Sequence, residues 1–309
     1  MDATPAKVAL QTLPIRDLDV PSAALRIRGP DSNTFLQGQF TQDLRKPVGS
    51  CSYGLWLNQK GKALADSFVL RVAEQEFIVW SARTDGILLR QRIEDYLIAD
   101  EVEIVDAAAE GRDAVVIWGH GAGTAVARHF GAVPQAGAFV ASAAGVVFGG
   151  RFSAAENFVC LATDATALRG AFEQAGATRG TRDTLEAARI AGALPAVPDD
   201  IGPGDLPNEG GLDVDAISYT KGCYLGQEVM SRLKNLGQVR RRLMVVAGPG
   251  EPPPAHTALR QGEKTVGETR SRARVGDGFV AMAMVSLVNF DRAAPLALAD
   301  GRAIELRHG

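Results

Sequence analysis

The chain has 309 residues, 46% of them hydrophobic and 22% charged, which is the composition of a soluble globular protein rather than a disordered or fibrous one. Its formal net charge of −3 excludes an overall electrostatic attraction to nucleic acid or to a membrane surface. The longest apolar run covers residues 279–288 and is too short to span a bilayer.

The N-terminal segment and the cysteines bear on location and chemistry. Residues 1–7 lack the apolar core of a secretory signal and the arginine content of a transit peptide, so we expect a cytoplasmic protein. Cys51, Cys160 and Cys223 are widely separated, and the four histidines are equally scattered. Because neither set has the spacing of metal ligands or of a disulfide framework, we predict no metal site made by the protein alone.

The first two thirds of the chain mix predicted strands and helices. Thr84 is predicted to cap a helix over residues 84–98, whose apolar side carries Ile87, Leu88 and Ile93. The other predicted helices are 31–40, 123–130, 164–175 and 181–191, and the predicted strands are 23–27, 54–57, 62–72, 76–80, 101–107, 114–118, 139–147 and 158–162. Helices and strands in this order favour an α+β fold built on antiparallel sheets.

The sequence pattern of residues 114–124 resembles the strand, glycine turn and helix of a nucleotide-binding fold. The fingerprint of such folds requires a third glycine where this chain has Thr124, and the acid expected about twenty residues further on is missing. We therefore favour the packing of a tight turn here over dinucleotide binding.

The last third of the chain changes character. A proline- and glycine-rich crossing over residues 194–204 is predicted to be a long functional loop. After it, short strands are predicted over 239–247, 264–273, 278–285 and 304–307, which indicates a small all-β barrel or sandwich. We therefore divide the chain into residues 1–237 and a β-domain over 238–309.

The run over residues 221–228 is the most informative stretch of the chain. It reads Lys-Gly-Cys-Tyr-Leu-Gly-Gln-Glu, with Lys221 two residues before Cys223 and a predicted helix beginning at Gly226. Positive charge and a helix N-terminus both favour the reactive thiolate form of a cysteine. A buried, inert cysteine in a turn is the alternative, since free cysteines are often buried.

Three further features are candidates for ligand contacts. Asp66 follows a glycine turn, and Glu209 lies in the loop before the cysteine; either carboxylate would accept hydrogen bonds from a heterocycle, or be an exposed turn acid. A basic cluster follows the cysteine run and would attract an anion or an acidic partner, or be a solvated face: Arg232, Lys234, Arg240, Arg241 and Arg242.

The run at 221–228 resembles the signature of the YgfZ family of folate-binding proteins, which includes mitochondrial relatives in iron–sulfur cluster assembly. Segments 25–31, 35–43, 58–62 and 266–271 also fit the family in order, together with Asp66, so that the resemblance covers nearly the whole chain. The family is similar to the glycine cleavage T-protein, an aminomethyltransferase that uses tetrahydrofolate. The resemblance implies a three-lobed folate-binding body, with two ferredoxin-like α+β lobes and a linking lobe, and a C-terminal β-barrel.

The same resemblance implies a change of chemistry. One of the paired acids of the T-protein aligns with Ala65 next to Asp66, and a second T-protein glutamate aligns with Ala155, with Glu156 one place along. Loss of an acid that orients the substrate removes transition-state stabilisation. We therefore expect tetrahydrofolate or a derivative to bind without functional aminomethyl transfer.

The resemblance also implies roles for the candidate residues in assembly or repair of iron–sulfur clusters, and indirectly in tRNA modification. Cys223 would be a nucleophile or a transient cluster ligand, with Lys221 lowering its pKa or holding an anion. The expected folate contacts are Asp66, Glu209, Tyr224, Gly226, Gln227 and Glu228. Iron–sulfur carriers or client proteins are the expected partners of a monomer with no membrane contact.

Two alternatives stay open at this point. One is an active tetrahydrofolate-dependent aminomethyltransferase. The other is a non-catalytic scaffold that binds folate structurally and recruits a cluster carrier or RNA through the basic cluster.

Overall fold

The computed structural model describes residues 9–13, 22–107 and 113–307, so that residues 1–7 and their predicted role lie outside the described residues. The helices of this part are α1 (Ser32–Gln39), α2 (Gly86–Glu94), α3 (Ala122–Phe130), α4 (Ala165–Gln174), α5 (Arg182–Ala191) and α6 (Gln227–Leu236), with a 3-10 turn at Pro207–Gly210. None of these helices is long and apolar enough to cross a membrane.

The strands fall into two open sheets and one closed barrel. In chain order they are β1 (Ala9–Leu13), β2 (Ala23–Arg28), β3 (Cys51–Leu57), β4 (Ala63–Ala73), β5 (Glu76–Ser81), β6 (Glu103–Asp106), β7 (Asp113–Trp118), β8 (Phe139–Ser142), β9 (Gly145–Gly149), β10 (Asn157–Ala162), β11 (Thr178–Arg179), β12 (Arg241–Pro249), β13 (Ala258–Gln261), β14 (Lys264–Val275), β15 (Gly278–Ser286), β16 (Leu296–Leu298) and β17 (Ala303–Arg307).

The two open sheets pack face to face and each is covered by helices on its other face. The first has the order β3-β4-β5-β2-β6 and the second the order β11-β1-β7-β10-β9-β8. Along β5, Ile78 and Trp80 contact the second sheet, whereas Phe77 and Val79 pack with α1 and α2. Since side chains alternate across a strand, both faces of these strands must be apolar, which explains their nearly continuous hydrophobic runs.

The α+β fold and the C-terminal barrel are confirmed. The barrel closes in the order β12-β15-β14-β13-β16-β17, and its first strand begins at Arg241. Strands β13 and β16 were not predicted, because four and three residues are too few to show an alternating pattern. The division into residues 1–237 and 238–309 stays a prediction.

Two predicted elements were wrong in detail. Residues 139–147 do not form one strand but the hairpin of β8 and β9, with Gly145 at φ +127° beside the carbonyl of Leu161. The helix predicted over 84–98 covers only Gly86–Glu94, and the side chain of Asp85, not that of Thr84, caps it.

The apolar side predicted for α2 was also wrong. Ile87 and Leu88 are 76% and 63% exposed, whereas Leu89 and Ile93 are buried against the first sheet. Ile93 was therefore assigned to the core correctly, but the core-facing stripe begins at Leu89 rather than at Ile87.

The glycine turn at residues 119–123 is a packed turn, as favoured over a nucleotide site. The backbone N–H of Gly123 donates to Oε2 of Glu156 at 2.9 Å. A Cβ atom at position 123 would lie 2.4 Å from the same carboxylate, so that a larger residue there would require the Glu156 side chain to move. Glu156 thus occupies the N-terminus of α3, where a negative charge is stabilised by the helix dipole.

Candidate functional site

The run at 221–228 is held against the end of α1 by Lys221. This side chain is buried, and its ammonium donates to the carbonyl oxygens of Gln37, Phe40 and Gln42 at 2.8, 2.6 and 2.9 Å. The last carbonyls of a helix have no partner within the helix, and the ammonium binds those of Gln37 and the C-cap residue Phe40, together with that of Gln42 just after the helix. Lys221 therefore caps the C-terminal end of α1.

Burial lowers the pKa of Lys221 to about 8, so the group is still protonated at neutral pH. Its hydrogen-bonding capacity is used by the three carbonyls. The role predicted for Lys221 beside the Cys223 thiolate stays a prediction. In this structure the ammonium fixes the loop to backbone carbonyls at the end of α1.

The other end of the run is fixed on the same surface. The N–H of Leu225 donates to the carbonyl of Gly38 at 3.1 Å. Gly226, at φ +85°, begins α6, and a Cβ there would lie 2.9 Å from the carbonyl oxygen of Asn58. In the facing turn, a Cβ at Gly61 would lie 2.9 Å from Cβ of Val229. Glycine at both positions lets α6 touch the β3–β4 turn.

Cys223 lies between these two anchors and is exposed, while Cys51 and Cys160 are buried. Burial raises the pKa of both buried thiols well above the usual range. Gly222 beside Cys223 is also exposed, and a Cβ there would meet nothing within 4 Å. The structure therefore presents one accessible thiol at the apex of a loop whose ends are fixed.

The remaining residues of the run have different surroundings. Tyr224 is buried in an apolar cluster with Leu57 and Met230, and burial raises its pKa. Its hydroxyl is buried and has no hydrogen-bond partner within the described residues. Glu228 is exposed and pairs with Arg232 one turn further along α6 at 3.1 Å.

A cavity of about 900 Å³ lies where α5, the 198–205 loop and the barrel come together. The segment between β5 and α2 contributes Arg83, and α5 contributes Glu186. The barrel contributes Arg270, Ser271 and Arg272. This volume is within the range of pockets that hold small organic ligands. Its lining carries both charge signs, because acids from the 198–205 loop face these arginines.

Arg83 also lines a second, smaller chamber of about 30 Å³, and Asp66 is among the other residues that line this chamber. The hydroxyl of Tyr53 donates to Oδ2 of Asp66 at 2.8 Å, and the guanidinium of Arg151 lies 4.2 Å from the centre of the Tyr53 ring. Burial raises the pKa of Asp66 to about 6, against the opposing effects of the Tyr53 hydrogen bond and the Arg151 charge. A chamber of this size has room for water but not for a ring system.

A buried ionic network separates the chamber from the larger cavity. Arg189 is 2% exposed and donates to Oδ2 of Asp200 at 2.7 Å and to Oε2 of Glu186 at 2.8 Å. Oδ1 of Asp200 accepts the backbone N–H of Ser271 at 3.0 Å. Burial alone would raise the pKa of Asp200, but Arg189 and the hydrogen bonds hold it below its usual range. The network joins α5, the 194–204 loop and the barrel.

Glu209 is buried and its carboxylate is fully engaged. Arg241 donates to its two oxygens at 3.0 and 2.9 Å, and the N–H of Leu206 donates at 2.8 Å. Arg241 also pairs with Asp205 at 3.0 Å. The predicted folate contact of Glu209 stays a prediction; in this structure the carboxylate holds a cavity-lining arginine in place.

The same contacts divide the predicted basic cluster. Arg241 faces the buried acids, Arg232 pairs with Glu228, and the ammonium of Lys234 lies 4.2 Å from the ring centre of Tyr219. Arg240 and Arg242 are exposed. Alternation along β12 explains the split, because neighbouring strand residues point to opposite faces.

The structure thus places the predicted site residues in two regions. The described linings of the 900 Å³ cavity and of the Asp66 chamber contain no residue of 221–228, so the ligand contacts predicted for Tyr224, Gly226, Gln227 and Glu228 stay predictions. Sequence reasoning missed the cavity-lining residues of α5. Their only signal was three charged residues, Arg182, Asp183 and Glu186, on an amphipathic helix, which is ordinary for a solvated face.

The residues at the cavity fit a heterocycle that carries both donors and acceptors. Asp66 offers an acceptor, and three buried donors in the described linings have no partner: Nε1 of Trp80 and Nε of Arg151 in the chamber, and Nε of Arg270 in the cavity. Buried donors are rarely left unpaired, which points to water or a ligand at these atoms. Among the described residues, no group of three His, Cys, Asp or Glu side chains has the arrangement of a metal site.

Comparisons with known proteins agree with this architecture. The family model of the GCVT N-terminal domain matches residues 19–147, and that of the CAF17 C-terminal β-barrel domain matches residues 240–308. The crystal structure of glycine cleavage system aminomethyltransferase T from Bartonella henselae superposes with a TM-score of 0.80 at 17% identity, covering 99% of this chain and 86% of that one. At this identity the likeness shows the fold alone.

Two curated relatives match most of the chain. The iron–sulfur cluster assembly factor IBA57 of human mitochondria is 26% identical over 84% of this chain and 74% of its own length. The tRNA-modifying protein YgfZ of Edwardsiella ictaluri is 26% identical over 83% of this chain and 79% of its own length. The resemblance to the YgfZ family is thereby confirmed: the chain is similar to YgfZ and IBA57 proteins, and it joins a GCVT N-terminal domain to a CAF17-type C-terminal β-barrel domain.

Proposed function

We propose that this protein is a folate-binding accessory factor for the assembly or repair of iron–sulfur clusters, and that it acts through Cys223. The observation that carries the proposal is the contrast among its three thiols. Cys223 is exposed on a loop fixed at both ends, whereas Cys51 and Cys160 are buried in the core. Relatives named for cluster assembly and for tRNA modification support the process in which the thiol acts.

In this proposal Cys223 is a transient ligand of a cluster, or a nucleophile that attacks one sulfur of a partner's disulfide and releases the other sulfur as a thiolate. The fixed ends matter because a ligand held in one conformation loses less entropy when it binds. Lys221 supports the thiol by holding the loop on α1. A radical enzyme that modifies tRNA is the expected type of client, which links the protein to tRNA indirectly.

The folate site of the proposal is the 900 Å³ cavity with the Asp66 chamber at its end. The chamber is too small for a pterin ring, so the carboxylate of Asp66 would act on a ligand in the cavity through water held in the chamber, and the unpaired Nε–H of Arg270 is suited to donate to the ligand directly. Arginines of the cavity would attract the carboxylates of a glutamyl tail. With Ala65 and Ala155 in place of acids, the chain retains binding groups but not the set used for aminomethyl transfer. The cytoplasmic location predicted from the sequence stays part of the proposal.

The thiol is tested by complementation in a strain that lacks the protein. Cys223→Ser is expected to fold normally and to lose rescue of an iron–sulfur enzyme, because oxygen is a poor substitute for a thiolate ligand or nucleophile. Gly222→Ala is the matched control, since a methyl group there meets nothing, and it is expected to rescue fully. Full rescue by Cys223→Ser would contradict the proposal.

The folate site is tested by calorimetric titration with tetrahydrofolate. Asp66→Asn is expected to weaken binding by about tenfold, since one hydrogen bond to a charged group contributes roughly 1.5 kcal/mol. Asp300→Asn, on the exposed turn before β17, is the control and should bind like the wild type. Equal affinity in both variants would remove Asp66 from the site. Turnover of an aminomethyl donor would instead favour the aminomethyltransferase alternative.

A further inference from the structure

A second concave surface lies on the barrel, apart from the folate cavity and the Cys223 loop. It is a groove of about 310 Å³ whose lining includes Arg242 of β12, Arg292 of the loop after β15, and Arg307 of β17. None of its described lining residues is acidic. We call it the arginine groove, and neither the folate cavity nor the cysteine loop shares its residues.

The three arginines are exposed and uncompensated. Within the described residues none of them forms an ion pair or a side-chain hydrogen bond, in contrast to Arg241, which is held by Asp205 and Glu209. The chain has a net charge of −3, but these three guanidinium groups make the groove locally positive. Arginine is suited to bidentate binding of carboxylates, so the groove is built to attract an anion.

The floor of the groove is apolar. Leu243, Met244, Val245 and Leu306 line it between the arginines. On the loop that carries Arg292, Leu287 and Val288 are 41% and 73% exposed, and the N–H of Leu287 is bonded to the carbonyl of Arg240 beside the groove. A ligand that matches this surface has both carboxylates and apolar side chains.

The groove also follows a strand edge. β12 pairs with β15 along residues 241–249, but β17 pairs only with Val245–Ala247 on the other side. Within the described residues, β17 therefore leaves the stretch from Arg242 to Met244 without a strand partner on that side. The facing wall is formed by Ala193, Gly210 and Gly211, whose side chains take up little of the groove. A groove that follows a strand fits a segment in an extended conformation.

These observations decide between classes of ligand. No aromatic residue is among the described residues that line the groove, so bases of single-stranded RNA have nothing on which to stack. Arginines held by no partner are not organised in advance for a small anion such as phosphate. A protein segment supplies the carboxylates, the apolar side chains and the backbone together, and orders the arginines when it binds.

We propose that the arginine groove is the docking site for an extended, acidic and apolar segment of a partner protein. The segment lies along β12, places its carboxylates against Arg242, Arg292 and Arg307, and rests its apolar side chains on the floor. The inference stands independently of folate binding and of Cys223.

The test uses the full chain and a labelled synthetic peptide of alternating Glu and Val, with binding followed by fluorescence anisotropy. The wild type is expected to bind the peptide more weakly at high salt, because exposed charge pairs are screened. Arg242→Glu and Arg292→Glu are each expected to weaken binding by about tenfold, the effect of one lost charged contact. Arg240→Glu is the matched control, since it makes the same charge change on an exposed residue outside the lining, and it should bind like the wild type.

Unchanged thermal unfolding of the three variants confirms that folding is intact, as expected for exposed side chains. Three results would overturn the proposal: no peptide binding by the wild type, equal loss in Arg240→Glu, or displacement of the peptide by inorganic phosphate or oligouridylate at lower concentration than by unlabelled peptide. Binding of a Lys-Val peptide with equal affinity would also overturn it, because charge would then play no part. Variants at Cys223 and Asp66 should bind the peptide normally, which keeps this test separate from those of the proposed function.

Discussion

The cysteine loop and the lobe junction are each built around a buried cation, but the partners of the two cations differ. Lys221 is bonded to three neutral carbonyls, whereas Arg189 is bonded to the carboxylates of Glu186 and Asp200. Carboxylates compensate a buried positive charge better than carbonyls do, and burial accordingly lowers the pKa of Lys221 to about 8. The loop is thus a backbone scaffold that presents a thiol, and the junction is a charge network that joins three parts of the chain.

The comparison is tested most strongly by breaking the junction network. Arg189→Leu leaves the buried Asp200 without its cation, while Glu186 keeps Arg83, and we expect the free energy of unfolding to fall by about 3 to 5 kcal/mol. Urea denaturation measures this loss. Glu94→Gln, which breaks the exposed Arg90–Glu94 pair on α2, is the control and should cost less than about 0.5 kcal/mol. Equal losses in both variants would show that the network does not join the lobes.

The second largest effect is expected at the buried carboxyl of Asp66, whose contribution to the free energy of unfolding depends on pH. The ordinary pKa of Asp66 is 3.8 and its folded value is about 6, so the folded protein binds more protons between these two values. The stabilising contribution of Asp66 is therefore complete below about pH 4 and is lost as the pH rises through about 6.

Asp66→Asn should remove this loss. The variant is expected to match the wild type near pH 4 and to be up to about 3 kcal/mol more stable at pH 7, as two pKa units imply. Thermal unfolding measured between these pH values checks the expectation. A constant difference at every pH would contradict it, because the carboxyl would then not titrate in this range.

A substitution in the cysteine loop should lower the free energy of unfolding by less, and it should also change the reactivity of the Cys223 thiol. Lys221→Met keeps the length of the side chain but leaves the carbonyls of Gln37, Phe40 and Gln42 without a donor, at a cost of about 2 kcal/mol. Urea denaturation measures the loss in the free energy of unfolding. The rate at which a thiol reagent modifies Cys223 in the folded protein measures how the loop presents the thiol. We expect this rate to change in Lys221→Met while Cys51 and Cys160 stay protected. An unchanged rate would show that Lys221 does not position the thiol.

The smallest effect is expected on the solvated side of α6. Glu228→Gln breaks the exposed pair with Arg232 and should change the free energy of unfolding by less than about 0.5 kcal/mol. Because Glu228 lines neither described cavity, tetrahydrofolate affinity should be unchanged as well. A loss of affinity would support the predicted folate contact of Glu228 and would bring the loop and the cavity together as one site.

The parts of the fold that follow from local patterns were predictable. The apolar runs of β4 and β5 on either side of a short turn, and the glycine-separated strands of the barrel, are enough to indicate antiparallel sheets. Short strands and helix faces were predicted less well. The exposed positions of Ile87 and Leu88 depend on which side of α2 meets the sheet, and a short helix with few apolar residues leaves that choice open.

The candidate site shows the same division. Its most informative segment, residues 221–228, was identified from its residue types and glycine spacing alone, and Asp66 from its place after a turn. The sequence could not indicate that Lys221 points to the end of α1, since its three acceptors lie about 180 residues earlier in the chain. Likewise Arg241 looked like its neighbours Arg240 and Arg242 until its contacts with Asp205 and Glu209 distinguished it.

The sequence by itself determined the α+β body, the C-terminal barrel, the family resemblance and the cysteine motif, because these rest on periodicity, turn residues and the order of local segments. Only the tertiary structure decided which charges are buried in pairs, which thiol is exposed, and which arginines are left free around the barrel groove. These properties depend on residues far apart in the chain that meet only after folding, and the environment that packing creates, rather than residue type, sets the chemistry of each group.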